Sequence, residues 1–458
     1  MKSIGVNNAW SGMPVVLSES FGDMAHKLAI PVGPGRVTNI DFDRALQEYK
    51  FHIVDGEKLT EWTSPSFDTA HLPFVHPTPI NEVAKRAIHK ALPSTILGWN
   101  GKRWHWGSDP EIFVVDKDGA IIPAPEFLTS KDDPKSSNCG CGDPKCDRPR
   151  IFWDGFQCEL TTRPNHYCLQ LLGDDIQSGL RAIYQAARKK FPDARLSIKS
   201  VVPVPESYLM SYPEAFVTFG CSPSQNAYGQ AGEYIEDPRM LPIRFAGGHI
   251  HMGFRGMAGA DLIDPVEVVK TMDATLGVAS VGMFAGIEDC YARRRFYGLA
   301  GEYRLPKHGL EYRVLSNAWL CHPAIYMMVF ELARVGAALG AAGGRILLDA
   351  DEELVRTIIN RGDVEMARKY VARNETMFIS LWKNAFKGYF HPGLDMANVT
   401  LGNQIVSLCM KAIMEGATSL IDDPSNLERN WKLNGQWHNT FTGHNLFELA
   451  PRMTRGKI

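Results

Sequence analysis

The stretch Arg244-Phe245-Ala246-Gly247-Gly248-His249-Ile250-His251-Met252-Gly253-Phe254 restricts the possible folds more than any other part of the chain. Successive side chains of an extended strand point to opposite faces, so His249 and His251 share one face while Ile250 and Met252 share the other. One face therefore needs a core, and the other presents two imidazoles. The paired glycines ahead of His249 permit a bulge, or close approach of another backbone or a ligand. Two imidazoles on one strand face suit a metal or a phosphate. They suit two structural histidines equally well, so the pattern gains weight only through recurrence.

It recurs three times. Gly107 to Asp116 reads as a strand that places Asp109 and Glu111 on one face, with Pro110 confining that point to an edge or a strand start. Taken alone, such charges are also what a solvated strand start shows. Lys117-Asp118-Gly119 then forms a hairpin turn into Ala120 to Pro123. Further on, Gln157, Glu159, Thr161 and Arg163 share a face, as do Glu311 and Arg313, with Leu310, Tyr312 and Val314 opposite. If these strands neighbour one another in an antiparallel sheet, the common face gathers carboxylates, two imidazoles and a guanidinium. Such a face repels itself unless a cation is present. Mg2+ takes carboxylate oxygens, and Mn2+ also accepts imidazole. Two such ions can clamp a triphosphate, and an arginine fork suits a transferring phosphoryl group.

Between these strands lie two other features. Cys139, Cys141 and Cys146 sit in a polar loop close in sequence to Cys158, His166 and Cys168, a spacing open to a Zn2+ site or to reduced cysteines. The segment Arg293 to Arg304 is a glycine-containing basic loop in which Arg293, Arg295 and Arg304 suit phosphate or carboxylate contacts. A merely solvated basic loop fits the same residues.

Elsewhere, periodicity predicts helices over Tyr167 to Lys190, Pro265 to Phe284, Ala324 to Leu339, Asp351 to Asn360, Val364 to Phe386 and Ile405 to Ile421, with a strand over Leu196 to Val204. Residues 1–95, broken often by proline and glycine, read as an appendage with short helices at Asp41 to Lys50 and Ile80 to Ala91. Glu428 to Ala450 has no clean period. The formal net charge of −2 and the lack of a basic arm argue against a nucleic-acid partner. Ile325 to Leu348 is apolar but carries Glu331 and Arg334, so a buried helix is expected rather than a membrane span. Nine cysteines without a secretory leader point to a reducing, cytoplasmic setting.

Taken in order, Gly107-Ser108-Asp109-Pro110-Glu111, Asp154-Gly155-x3-Glu159, Gly247-Gly248-His249-Ile250-His251-Met252-Gly253, Arg295-x-Tyr297-Gly298-x2-Gly301 and Glu311-Tyr312-Arg313-x2-Ser316-Asn317 resemble the carboxylate–amine ligase superfamily. That superfamily includes glutamine synthetase and the glutamate–cysteine ligases, and the likeness is greatest to the type-two ligases of tailed phages. It covers about Trp104 to Trp319. The resemblance implies an α+β fold: a curved antiparallel catalytic sheet of the glutamine synthetase type packed with helices. It also implies a catalytic region over 96–322 and a mostly helical part over 323–458.

The same resemblance implies ATP and two Mg2+ or Mn2+ ions. Glu111 and Glu159 would hold one ion, and Asp109, His249 and Glu311 the other. His251 would sit beside phosphates or substrate, and Arg313 on the transferring phosphoryl group. The implied reaction joins a carboxylate to an amine through an acyl phosphate. The substrates could be small molecules, peptides or proteins, a homo-oligomer is compatible, and a phage-encoded chain would work in the bacterial cytoplasm. Asp109 stands where glutamine synthetase has a longer glutamate, and the cysteine loop has the character of an insertion. A metal-dependent hydrolase and a non-catalytic phage accessory protein retaining the fold are the alternatives.

Overall fold

The computed structural model describes residues 104–434, except 134–135, 137–148, 167–168, 218–223, 234, 236, 256–262, 288–289, 342–344, 346–347, 349 and 387–395, together with five earlier strands. Those strands are β1 (Met13–Leu17), β2 (Pro34–Asp43), β3 (Glu48–Asp55), β4 (Lys58–Ser64) and β5 (Phe74–Val75), in the order β4-β3-β2-β1-β5. The helix expected at Asp41 to Lys50 is therefore replaced by an antiparallel hairpin in which Asp43 pairs with Glu48. Ile40 and Phe42 in β2, and Phe51 and Ile53 in β3, follow the two-residue period of strands. Ile80 to Ala91 lies outside the described residues.

The next strands are β6 (His105–Ser108), β7 (Glu111–Val115), β8 (Ile121–Ile122), β9 (Arg150–Asp154), β10 (Gln157–Thr161), β11 (Asn165–His166) and β12 (Arg195–Ser197). They are followed by β13 (Val201–Pro203), β14 (Gln225–Asn226), β15 (Ile243–Phe245), β16 (Ile250–Gly253), β17 (Glu302–Arg304) and β18 (Gly309–Tyr312). One sheet runs β12-β7-β10-β9 with β8 on β7, a second runs β11-β6-β16-β18-β17-β14, and β13 pairs with β15.

The single strand expected through Gly107 to Asp116 is divided at Asp109-Pro110, where the chain passes from the second sheet to the first. Proline has no N–H to give to a ladder, which suits a crossing point. The crossing is pinned on both sides. Glu111 N–H donates to Gly247 O at 2.9 Å, the Ser108 hydroxyl donates to His249 O at 2.6 Å, and Leu160 N–H donates to Pro110 O at 3.1 Å.

The alternation read from the sequence is present in every strand of the site. Ile112, Val114, Cys158, Leu160, Ile250, Met252, Leu310 and Tyr312 all enter one continuous buried core. Their neighbours Glu111, Glu159, His251 and Glu311 face the other way. Helix Leu169–Lys190 presents Leu172, Ile176, Leu180 and Ile183 to this core. Beneath β18, the Tyr312 hydroxyl donates to Asp273 Oδ1 at 2.6 Å, tying the strand to a π-helical turn, Asp273–Gly277, that interrupts the helix expected over Pro265 to Phe284.

The carboxy-terminal part is helical as expected: Pro323–Ala341, Glu352–Arg361, Val364–Arg373, Glu375–Ala385 and Met396–Glu415. Val364 to Phe386 is two helices rather than one. Asn374 adopts φ −101° and ψ 21° between them, and its side chain donates to Tyr370 O. Helix Pro323–Ala341 is long and apolar enough to cross a membrane, yet 94% of its apolar window is buried inside the fold. Arg334 and Glu331 meet there at 2.6 Å, so the two charges in the apolar run neutralise each other.

Candidate active site

The strands bring two acid clusters together on the face away from the core. In the first, ligand atoms of Asp109, His249 and Glu311 all lie within 4.8 Å of one another. Asp109 comes from the sheet crossing, His249 from the residue before β16, and Glu311 from β18. His249 Nδ1 is 3.1 Å from Asp109 Oδ1 and 3.6 Å from Glu311 Oε1. His251 Nε2 is 3.0 Å from the same Asp109 oxygen. Arg313 bonds to Glu311, and Arg304 Nη1 stands 3.7 Å from Glu311 Oε1.

The second cluster is Glu111, Asp154 and Glu159, again with ligand atoms within 4.8 Å. Glu111 and Glu159 are direct cross-strand partners between β7 and β10. Like charges in that position destabilise a sheet. Asp154 ends β9, opposite Gln157 across the turn at Gly155.

The electrostatics separate the two clusters. Burial, reinforced by Asp154, pushes Glu111 up to about 8, although the Gly247 N–H donates to its carboxylate at 2.5 Å. Burial and the neighbouring Asp109, Asp154 and Glu111 hold Glu159 well above the usual carboxylate range. Asp154 is also raised, chiefly by burial. Asp109 behaves in the opposite way. Burial works against its charge, yet His251 and His249 together hold it well below the ordinary value. His249 is lowered by burial and by Arg313. For His251, burial acts downward but the Asp109 carboxylate outweighs it and the imidazole is raised.

One buried and two half-buried carboxylates, all with raised pKa values, fit a hard divalent cation, which would remove the mutual repulsion and let all three ionise. The Asp109–His249–Glu311 set, with one nitrogen and two carboxylates, fits Mg2+ or Mn2+ with a preference toward the latter.

The paired glycines admit the protein itself. A Cβ on Gly248 would stand 2.2 Å from Trp319 Nε1 and 2.4 Å from Ser316 O. One on Gly247 would stand 2.4 Å from His249 Nε2 and 2.6 Å from the Tyr297 hydroxyl. The Trp319 indole N–H donates to Gly248 O at 3.1 Å, fixing the backbone that carries His249.

Two sequence-based expectations need correction. In the basic loop, Arg293 is buried and donates to Val314 O at 2.6 Å, while Arg295 turns outward to form a bidentate pair with Glu233. Only Arg304 of the three reaches the acid face. Arg293 instead reaches the backbone after β18, where it supplies a donor to the buried Val314 carbonyl. Cys158, expected beside the cysteine loop, sits fully buried among Ile112 and Leu160. It follows Gln157 and precedes Glu159, so strand alternation turns its thiol into the core. Cys139, Cys141, Cys146 and Cys168 lie outside the described residues.

Three residues of the site carry no role in the sequence reading. Asp154 stands there only as part of the Asp154-Gly155-x3-Glu159 motif, and the pairing of β9 with β10 brings it to Glu159. Tyr297 stands there only as part of the basic-loop motif. His308, whose Nε2 lies 3.2 Å from His251 Nδ1, lies in the turn between β17 and β18, where no periodicity marks it.

The class of protein that this site defines is an α+β fold carrying two carboxylate-rich clusters whose ligand atoms are spaced closely enough to hold divalent cations. Residues 241–376 match the family described as phage phiEco32-like COOH.NH2 ligase-type 2, so the chain carries a domain of that family. The match includes His249, His251, Tyr297, Glu311 and Arg313, whereas Asp109, Glu111, Asp154 and Glu159 precede it.

No curated protein matches the sequence. Among solved structures, a bifunctional glutathione synthetase from Pasteurella multocida is 13% identical, with a TM-score of 0.43 over 76% of this chain and 52% of that one. This chain thus spans about half the length of that synthetase. The complex of the prokaryotic ubiquitin-like protein Pup with its ligase PafA gives 12% identity and a TM-score of 0.35, over 76% of this chain and 71% of that one. A novel glutamine synthase homolog gives 13% and 0.27, over 87% and 91%.

Proposed function

We propose that the chain is an ATP-dependent carboxylate–amine ligase that forms an amide through an acyl phosphate. The observation that supports this reading is the adjacency of two three-ligand acid clusters and a buried arginine where the two sheets meet at Asp109-Pro110-Glu111, in a chain with a ligase-type 2 domain. In this reading Asp109, His249 and Glu311 hold one Mg2+ or Mn2+, and Glu111, Asp154 and Glu159 hold a second. The ions would offset triphosphate charge and polarise the phosphoryl group being moved.

The chain's own residues do the rest. Arg313, fixed by Glu311 and Tyr297, offers a planar fork to the equatorial oxygens of that group. His251 and Arg304, at the rim of the same face, contact the nucleotide phosphates or the substrate carboxylate. A carboxylate oxygen takes the terminal phosphoryl group and ADP leaves. The amine then attacks the activated carbonyl, phosphate departs, and the amine gives up a proton.

A hydrolase would need water in place of the amine and no nucleotide. The reading is tested by measuring ADP and phosphate release with Mg-ATP against carboxylates and amines, singly and in pairs. Turnover that requires one of each supports a ligase. Folded protein that binds no ATP in the presence of Mg2+ or Mn2+ removes it.

A further inference from the structure

We infer that Tyr297 is a positioning residue: its hydroxyl selects which nitrogen of His249 faces the Asp109–Glu311 cluster and ties that choice to Arg313. The inference rests on the ligase reading, since it concerns the cation held by Asp109, His249 and Glu311. Tyr297 closes a ring of contacts. Its oxygen bonds His249 Nε2 and accepts from Arg313 Nη2 at 3.1 Å, Arg313 donates to Glu311, and Glu311 Oε1 returns to His249 Nδ1 at 3.6 Å. The phenol ring meets the imidazole edge-on, with centroids 5.7 Å apart and planes at 88°.

The surrounding chain is built to keep that hydroxyl in place. Tyr297 N–H donates to Arg293 O at 2.9 Å, and the Arg293 guanidinium lies 5.6 Å from the centre of its ring. Arg294 donates to Gly298 O at 2.7 Å, and Gly298 takes φ +76°, the left-handed turn that ends the approach. On the opposite side Gly247 leaves the space that a Cβ would fill. The arginines of this loop therefore form the platform for a tyrosine.

A hydroxyl suits the position because it both donates and accepts. A neutral imidazole carries one N–H. Without a cation, His249 Nδ1–H can donate to Asp109 while Nε2 accepts from Tyr297. With a cation, the Nδ1 lone pair must face it, so the proton belongs on Nε2 and is donated to the tyrosine oxygen. The second nitrogen of a metal-binding histidine is ordinarily held in this way, and loss of the partner typically weakens binding 10–100-fold. Phenylalanine keeps the ring packing and serves neither tautomer.

The test is Mn2+ titration of the full chain, followed by electron paramagnetic resonance, for wild type, Tyr297→Phe and His249→Gln. Wild type is expected to take two Mn2+ per chain. Tyr297→Phe should weaken one site roughly 10–100-fold and leave the other unchanged, and the weakened site should be the one that His249→Gln abolishes. Long-range 1H–15N spectra of the metal-free proteins should show His249 as the Nδ1–H tautomer, held by Asp109, in both wild type and Tyr297→Phe, with the Nε2 resonance moved in the variant by loss of the hydroxyl donor. Two unaltered sites in Tyr297→Phe, or equal weakening of both, would overturn the inference while leaving the ligase reading standing. A wild-type chain that binds no Mn2+ would remove both.

Discussion

Replacing Glu111 by glutamine should make the cation-free protein more stable and the cation-bound protein less so. Glu111 ionises at an ordinary 4.5 when the chain is unfolded and near 8 when it is folded, because it is buried beside Asp154. Between those values the native chain holds a proton that the unfolded chain has released. Stability is therefore complete below about pH 4.5 and falls as pH rises toward 8, the direction expected for a carboxyl raised by burial. The loss accumulates at about 1.4 kcal/mol per pH unit and reaches about 3 kcal/mol at pH 7. Glutamine has nearly the same shape, keeps an oxygen for the Gly247 N–H, and never ionises. Its amide can also donate to the carboxylates of Asp154 or Glu159. Urea unfolding in EDTA should then show the two proteins within about 1 kcal/mol at pH 5, with the variant about 3 kcal/mol ahead at pH 7. Adding Mn2+ should stabilise wild type more than the variant at pH 7 and reverse the order. A wild-type stability that is flat between pH 5 and pH 7, or a variant that loses equally at both, would refute the claim that an unpaired buried acid is waiting for a cation.

The remaining predictions are more direct. Arg313→Lys should bind Mg-ATP but turn over about 10²-fold more slowly, because an ammonium cannot span Glu311, Tyr297 and a phosphoryl group together; wild-type turnover would remove its role. Glu311→Gln and His249→Ala should each lower Mn2+ stoichiometry from two to one and abolish ATP turnover, as measured by equilibrium dialysis and ADP release. In the core, Glu331→Ala strands the buried Arg334 guanidinium and should cost about 3–5 kcal/mol in urea unfolding, with metal stoichiometry unchanged.

The polar face was legible because strand alternation is a local rule. Glu111, Glu159, His249, His251 and Glu311 each declare a side by their distance from apolar neighbours, and all five lie where that rule puts them. The division of the acids into two clusters is not local. It depends on the chain changing sheets at Asp109-Pro110, and a proline announces an interruption without saying which strand lies on either side. Asp154 illustrates the limit: Asp-Gly reads first as a turn, and its carboxylate becomes part of the site only through the register of β9 on β10. The amino-terminal hairpin was missed for a related reason. A ten-residue window over Asp41 to Lys50 takes in only the facing ends of β2 and β3, and the two-residue period is visible only when both strands are included whole.

The basic loop shows how composition misleads where alternation does not apply. Arginines clustered among glycines resemble an anion cradle, and at surface dielectric each would remain available to a phosphate. Here Arg293 and Arg294 are buried and bonded to backbone carbonyls, so their charge shapes the loop rather than a ligand. Besides Arg304 at the rim, what the loop delivers to the site is a neutral hydroxyl. That is the economical choice beside a histidine that must face a cation. A third guanidinium at Tyr297 would add positive charge next to His249, whose protonated form Arg313 and burial already disfavour, and would repel the cation itself. A carboxylate there would draw the proton onto Nε2 permanently, and would add a further buried acid to a face on which Glu111, Asp154 and Glu159 are already hard to ionise. Only a group that is uncharged, and able both to donate and to accept, lets His249 change tautomer without changing the charge of the site.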